Sequence, residues 1–122
     1  MNTLTQKMSH IVKYLTDKQG HFKLFALFLR DNSPHNWDVV VSAQWIDKNE
    51  QEALKLISQQ LTSQLTKNEL ISLSHIVTIK TNDENLKQIR QFIPVKDNST
   101  AEIQNSSFFG LDIKQAIFFC LQ

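Results

Sequence analysis

The segment from Phe22 to Trp45 restricts the possible folds most strongly, because it holds both tryptophans and three of the eight phenylalanines. It consists of two apolar stretches, 22–30 and 37–45, on either side of a polar loop. The loop contains Asp, Asn, Ser and Pro residues, which favour turns because they bond to the backbone or restrict its conformation. The segment therefore predicts a β-hairpin with a wide loop, against which the rest of the chain packs.

The two predicted strands differ in how their apolar residues are distributed. Residues 22–30 are apolar on both faces, which is typical of a strand that is covered on both sides of a sheet. Residues 37–45 alternate, so that one face is apolar. That face consists of Trp37, Val39, Val41, Ala43 and Trp45. A shift of one residue in the pairing would expose both tryptophans, so the register should be strongly specified.

Two amphipathic segments predict helices before and after the hairpin. Residues 3–19 carry an apolar stripe at helical spacing, and Gly20 suits the left-handed conformation that often ends a helix. Residues 49–65 carry a second stripe. We expect Asp47 to be the N-cap of this second helix, with Glu50 completing a capping box.

The next segments predict a short helix, a strand and another helix. Thr66 and Glu69 form a second capping-box pattern, which indicates a helix over residues 67–73. Residues 75–80 are rich in β-branched side chains and predict a strand. We expect this strand to be parallel to the second strand of the hairpin, because a helix connects the two. Residues 83–92 predict a helix that ends before a proline.

The C-terminal part predicts two further strands. Residues 96–100 resemble a turn, and residues 101–105 predict an edge strand. Residues 106–110 predict a loop that anchors its aromatic side chains in the core. Residues 112–121 predict a last strand, either central in the sheet or at an oligomer interface, because its end is apolar on both faces.

The order of these elements predicts the α+β fold class. We expect one domain over residues 1–122, with a mixed β-sheet of about five strands. An N-terminal helix, a β-hairpin and two or three further helices complete the predicted fold.

Composition excludes several classes of function. The net charge is +1, which supplies no general attraction to nucleic acid or to an anionic membrane surface. Two isolated glycines cannot form a glycine-rich phosphate-binding loop. No apolar run has the length of a membrane span, and the start of the chain lacks a signal-peptide pattern. The lone cysteine, Cys120, fits a reducing compartment, and we expect a cytoplasmic protein.

Histidine and cysteine spacing gives no indication of a metal or another cofactor, and we expect none. None of the four histidines (His10, His21, His35 and His75) is spaced four residues from another on a predicted helix, and there is no cysteine pair. His21 and His75 each begin a predicted strand and could approach one another. The preferred interpretation is that both are surface or capping residues. Cys120, in an apolar strand, is interpreted as an inert core residue.

One alternative is a small metal-dependent nuclease or hydrolase. Asp38 lies on the second strand of the hairpin, and Asp112 and Lys114 are predicted to share one face of the last strand. Two carboxylates and a lysine could serve a metal-dependent hydrolytic site. However, only two strands precede the long helix, whereas the familiar two-layer nuclease pattern has three. Asp38 is therefore interpreted first as an exposed strand residue, or as an acceptor for backbone or indole N–H groups.

Protein–protein interaction is the leading hypothesis, since no catalytic motif is present. The predicted sheet has an open edge that can pair with another strand. Aromatic side chains are the candidate interface anchors, because they are enriched at binding hot spots. These candidates are Trp37, Trp45, Phe108 and Phe109. We therefore expect a small bacterial or phage accessory protein that binds a protein partner or itself as a homodimer, and neither nucleic acid nor a membrane.

Overall fold

Five helices and five strands are present in the computed structural model, which describes residues 2–33, 35–93 and 100–121. In chain order they are α1 (Asn2–Gln19), β1 (Leu24–Arg30), β2 (Trp37–Ser42), α2 (Gln44–Lys48), α3 (Glu50–Gln64), α4 (Lys67–Ile71), β3 (Leu73–Thr78), α5 (Glu84–Phe92), β4 (Ala101–Phe108) and β5 (Leu111–Leu121). The α+β class is confirmed. Pro94 and residues 96–99 of the predicted turn lie outside the described residues.

The five strands form one mixed sheet in the order β3-β2-β1-β5-β4. Strands β1 and β2 form the predicted antiparallel hairpin, and β3 is parallel to β2 as expected. Strand β5 lies between β1 and β4 and is antiparallel to both. Of the two placements predicted for the last strand, the central one is therefore confirmed.

Strand β1 lies in the middle of the sheet because both of its faces are apolar. Phe25 points to the face covered by α1 and α3, and Phe28 points to the face covered by α5. Both rings are fully buried. Burial of one such side chain contributes about 1.5–3 kcal/mol to folding. Side chains of β1 therefore stabilise the hydrophobic core on both faces of the sheet.

The second half of the hairpin ends earlier than the sequence predicts. Strand β2 stops at Ser42, and Trp45 lies in the short helix α2 instead of on the strand. The indole ring meets Phe22 edge to face, with ring centroids 5.4 Å apart, and lies beside Gly20. Trp45 therefore packs on the same apolar side as Trp37, but through a helix, and the prediction of a strand to residue 45 is wrong.

The capping predictions are confirmed for one helix and wrong for another. Thr66 and Glu69 form the predicted capping box at the start of α4. Asp47, however, lies inside α2, and the N-cap of α3 is Asn49, whose side chain accepts a hydrogen bond from the backbone of Glu52. The carboxylate of Asp47 instead accepts hydrogen bonds from the backbone and hydroxyl of Thr81, at 3.2 and 2.8 Å.

The C-terminal hairpin is longer and tighter than expected. Strand β4 continues to Phe108, so most of the predicted loop at residues 106–110 is strand. Phe109 and Gly110 alone connect it to β5, with φ angles of 55° and 75°. A two-residue hairpin turn with positive φ at both positions matches the right-handed twist of the flanking strands.

Candidate functional site

A buried carboxylate lies at the end of the sheet near the hairpin loop. Asp38 is 5% exposed and is one of two buried polar residues among the described residues. Its Oδ2 atom lies 2.9 Å from Nε of Arg30. Its Oδ1 atom is buried and has no hydrogen-bond partner among the described residues. A buried carboxylate oxygen without a hydrogen-bond partner is energetically costly.

The register of the hairpin places Arg30 beside Asp38. Asp38 lies opposite Phe28, and Arg30 follows two residues later on the same face of β1. A side chain at this diagonal position can reach across to the neighbouring strand when it is long. The guanidinium of Arg30 therefore compensates the charge of Asp38 from the neighbouring strand. The Arg30 side chain is 27% exposed.

A β-bulge places His75 on the other side of Asp38. In the parallel pairing of β2 with β3, Trp37 lies opposite Leu73, but Val39 lies opposite Ile76. Two residues of β3, Ser74 and His75, therefore lie opposite the single residue Asp38. Bulges of this kind change the direction of a side chain and are frequent next to functional sites.

The imidazole of His75 connects the buried carboxylate to the surface. Its Nδ1 atom lies 3.7 Å from Oδ1 of Asp38 and 2.8 Å from Oγ of Ser74. The side chain of His75 is 71% exposed, whereas that of Asp38 is 6% exposed. A Ser-His-Asp triad has the serine and the carboxylate on opposite ring nitrogens. Here both lie at Nδ1, so Ser74 is not placed as a nucleophile activated by His75.

The three residues of the nuclease hypothesis do not form one cluster. Asp38 faces the α5 side of the sheet, as do Val40 and Ile113. Asp112, next to Ile113, points to the opposite face and accepts a hydrogen bond from Ser107. Among the described residues, no group of three or more His, Cys, Asp or Glu side chains could hold a metal ion. The geometry gives this hypothesis no support.

The local surroundings of these residues also differ from those expected. Asp38 is buried and paired with Arg30, so its interpretation as an exposed strand residue is wrong. Lys114 is exposed and lies where the register between β1 and β5 shifts. This irregularity interrupts the alternation from which a common face for Asp112 and Lys114 was predicted.

The candidate interface aromatics belong largely to the core. Trp37 and Phe108 are buried, at 7% and 9% exposure, while Trp45 and Phe109 are half-buried. Phe108 and Phe109 both stack on Phe28, with ring centroids 5.5 and 6.3 Å apart. Trp45 and Phe109 keep part of their surface exposed, and the assignment of these four residues to an interface stays a prediction.

His21 and His75 lie at opposite ends of the sheet. His75 is near the start of β3, beside Trp37. His21 lies just before the start of β1, where β1 pairs with Ser42. They do not approach one another, and both are exposed as the preferred interpretation expected. The thiol of Cys120 is half-buried and donates to the backbone carbonyl of Phe22 at 3.2 Å.

Neither Arg30 nor Ser74 was predicted from the sequence as a site residue. Arg30 ends an otherwise apolar strand, and Asp38 stands just after the loop on the next strand. A charged residue near each end of a hairpin loop is the one sequence signal for their pairing. The bulge at Ser74 has no such signal, since it depends on how β3 aligns with β2.

Comparison with known proteins identifies no relative: no protein-family model, no curated protein and no solved structure matches this chain. Of the helices that the structure describes, none has both the length and the apolar character required to cross a bilayer.

Proposed function

We propose that this protein is a small cytoplasmic accessory protein of a bacterium or phage that acts by protein–protein contact, and that it forms a homodimer through β4. The observation that supports this proposal is the outer edge of β4. Strand β4 is the last strand of the sheet, and no described residue pairs with its outer edge. Unpaired N–H and C=O groups on such an edge can bind another strand.

The side chains of β4 offer little protection against pairing, and the one backbone irregularity in the strand is the positive φ of 55° at Asn105. Proteins commonly guard an exposed edge with lysine, proline or a very short strand. Strand β4 is eight residues long and contains neither lysine nor proline. Its single charged residue is Glu102. On the α5 side, Ala101 and Ile103 are partly buried against the core, so a paired strand would extend this apolar layer.

A second copy of the chain is the occupant that this edge fits. Two β4 strands related by a twofold axis pair antiparallel, and the same residues then serve on both sides. If the axis passes between Gln104 and Asn105, Glu102 of each copy lies opposite Ser107 of the other. Like charges are then not placed directly opposite one another, which favours this register.

The other edge of the sheet is less suited to self-pairing. Strand β3 has six residues, and its register against β2 is interrupted at Ser74 and His75. A bulge increases local twist and disturbs the ladder, which is one of the ways in which edges are protected. Strand β4 is longer than β3 and has no such shift of register against its neighbour, so it is the better edge for self-pairing.

Light scattering during size-exclusion chromatography tests the proposal across a concentration series. We expect the wild type to be a dimer and Gln104→Lys to be a monomer, because a lysine on the exposed face of the edge brings two positive charges together in the dimer. Gln51→Lys is the matched control, since Gln51 is an exposed glutamine on α3 and the change in charge is the same. A wild type that stays monomeric into the high micromolar range contradicts the proposal, as does a Gln104→Lys variant that dimerises like Gln51→Lys.

A further inference from the structure

We propose that Asp38 and His75 form an acid–base site that acts on a hydroxyl-bearing small molecule or on water. The buried carboxylate of Asp38 keeps a proton on Nδ1 of His75, and the Nε2 atom is then left as the free base. The site lies on β2 and β3, at the opposite edge of the sheet from β4, so it does not depend on dimerisation through β4.

One carboxylate oxygen of Asp38 is buried without a hydrogen-bond partner among the described residues. Arg30 approaches Oδ2 through Nε at 2.9 Å, and Oδ1 is buried without a hydrogen-bond donor among the described residues. The Nδ1 atom of His75, 3.7 Å away, is the potential donor placed beside Oδ1. The two atoms lie within ion-pair distance but beyond the range of about 2.7–3.2 Å that hydrogen bonds span.

A neutral imidazole carries its proton on only one of its two ring nitrogens. A carboxylate can only accept hydrogen bonds, and a serine hydroxyl can accept as well as donate. A proton on Nδ1 of His75 therefore interacts favourably with both neighbours, Asp38 and Ser74. A bare lone pair on Nδ1 would instead face the negative charge of Asp38. The other ring nitrogen of a histidine held in this way is a base or a ligand.

The proposed reaction requires that a ligand can reach Nε2 of His75. The side chain of His75 is mostly exposed, while the carboxylate behind it is buried. In the proposed step, the proton of a ligand O–H group moves to Nε2, and the electron pair of that bond stays on the ligand oxygen. The imidazolium that forms lies beside the carboxylate of Asp38, whose other oxygen is paired with Arg30.

Modification of the wild-type protein with diethyl pyrocarbonate measures whether Nε2 is activated. The Nε2 lone pair attacks a carbonyl carbon, a carbon–nitrogen bond forms, and the anhydride carbon–oxygen bond breaks to release ethyl carbonate. Peptide mass spectrometry gives the rate at each of the four histidines. His10, His21 and His35 are exposed and have no described carboxylate within ion-pair distance, so they are internal controls. We expect His75 to react severalfold faster than these three.

Two variants separate the role of Asp38 from that of Ser74. In Asp38→Asn, which preserves the shape of the side chain, the rate at His75 should fall to that of the other histidines. In Ser74→Ala, the rate at His75 should stay at the wild-type level or rise, because the carboxylate remains. If Ser74→Ala loses the enhanced rate, Ser74 and not Asp38 activates His75, and the proposal is overturned.

Nitrogen NMR of the wild-type protein provides a test that does not depend on the folding of a variant. The ¹⁵N shifts of the imidazole distinguish a proton on Nδ1 from one on Nε2. We expect neutral His75 to carry its proton on Nδ1. A proton on Nε2, or a rate of modification at His75 equal to that of the other three histidines, overturns the proposal even if Asp38→Asn does not fold.

Discussion

The Nε atom of Arg30 lies 2.9 Å from Oδ2 of Asp38, and this ion pair joins β1 to β2 on the side of the sheet that carries α5. The carboxylate is almost completely buried, whereas the arginine side chain is about a quarter exposed. Removing one residue and removing both should therefore change the free energy of unfolding by different amounts. Removing the arginine leaves a buried charge, while removing both residues leaves none.

Substitution of Arg30 should therefore reveal the cost of the buried carboxylate. We expect Arg30→Met to lower the free energy of unfolding by about 2–3 kcal/mol, because Asp38 then lacks its compensating charge. The double variant Arg30→Met/Asp38→Leu should recover most of this loss. Urea denaturation measures both, and equal stabilities of Arg30→Met and the wild type would show that the pair carries no such energy.

The contact between Lys7 and Glu69 predicts a dependence of stability on pH. The Lys7 ammonium donates a hydrogen bond to the Glu69 carboxylate at 2.7 Å, and the backbone N–H of Thr66 donates another at 2.8 Å. These two bonds, the first being the larger cause, lower the pKa of Glu69 below its ordinary value of 4.5. Because the folded-state pKa is lowered, the stabilisation is fully present above the unfolded-state value and is lost as the pH falls through the folded-state pKa.

Glu69→Gln removes this titration and keeps the size of the side chain. The difference in unfolding free energy between the wild type and Glu69→Gln should be constant at neutral pH and should shrink below about pH 4.5. Lys7→Gln should lower stability at neutral pH by removing the first cause. Thermal melts over a pH series measure these differences, and a gap that does not change with pH would contradict the prediction.

Two glycines should differ in their tolerance of alanine. An alanine Cβ at Gly110 would meet nothing within 4 Å. Gly110→Ala should therefore lower the free energy of unfolding only by the cost of placing alanine in a left-handed conformation, about 1–2 kcal/mol. Gly20 has a φ of 129°, outside the left-handed helical region, and its added Cβ would lie at an ordinary 3.5 Å from Trp45. Gly20→Ala should therefore cost more, up to about 3 kcal/mol. Chemical denaturation ranks the two, and the reverse order would contradict the backbone argument.

The N-cap of α3 provides a direct test of the cap identified in the structure. Asn49→Ala should lower the free energy of unfolding by about 1 kcal/mol, because the Glu52 backbone N–H loses its acceptor. Asn49→Ser keeps a capping oxygen and should retain most of the stability. If Asn49→Ala has wild-type stability in urea, Asn49 does not function as the cap.

The two capping patterns differ in whether neighbouring residues alone determined the cap. Thr66 and Glu69 were correctly predicted as a capping box, because both partners lie within one helical turn. Asp47 had the same pattern with Glu50, yet its carboxylate binds Thr81, which is 34 residues away. A contact made across the fold thus displaced a local one, and the sequence contains no periodic signal for such a contact.

Most helices and strands followed from the order of apolar and polar residues, because periods of 3.6 and 2 residues indicate which side of an element is buried. The candidate site did not. The burial of Asp38, its pairing with Arg30 and the approach of His75 all require β1, β2 and β3 to align in one particular register, with an extra residue at Ser74. Register and strand order arise from packing between distant segments, and for this reason the arrangement of the candidate site was decided only by the tertiary structure.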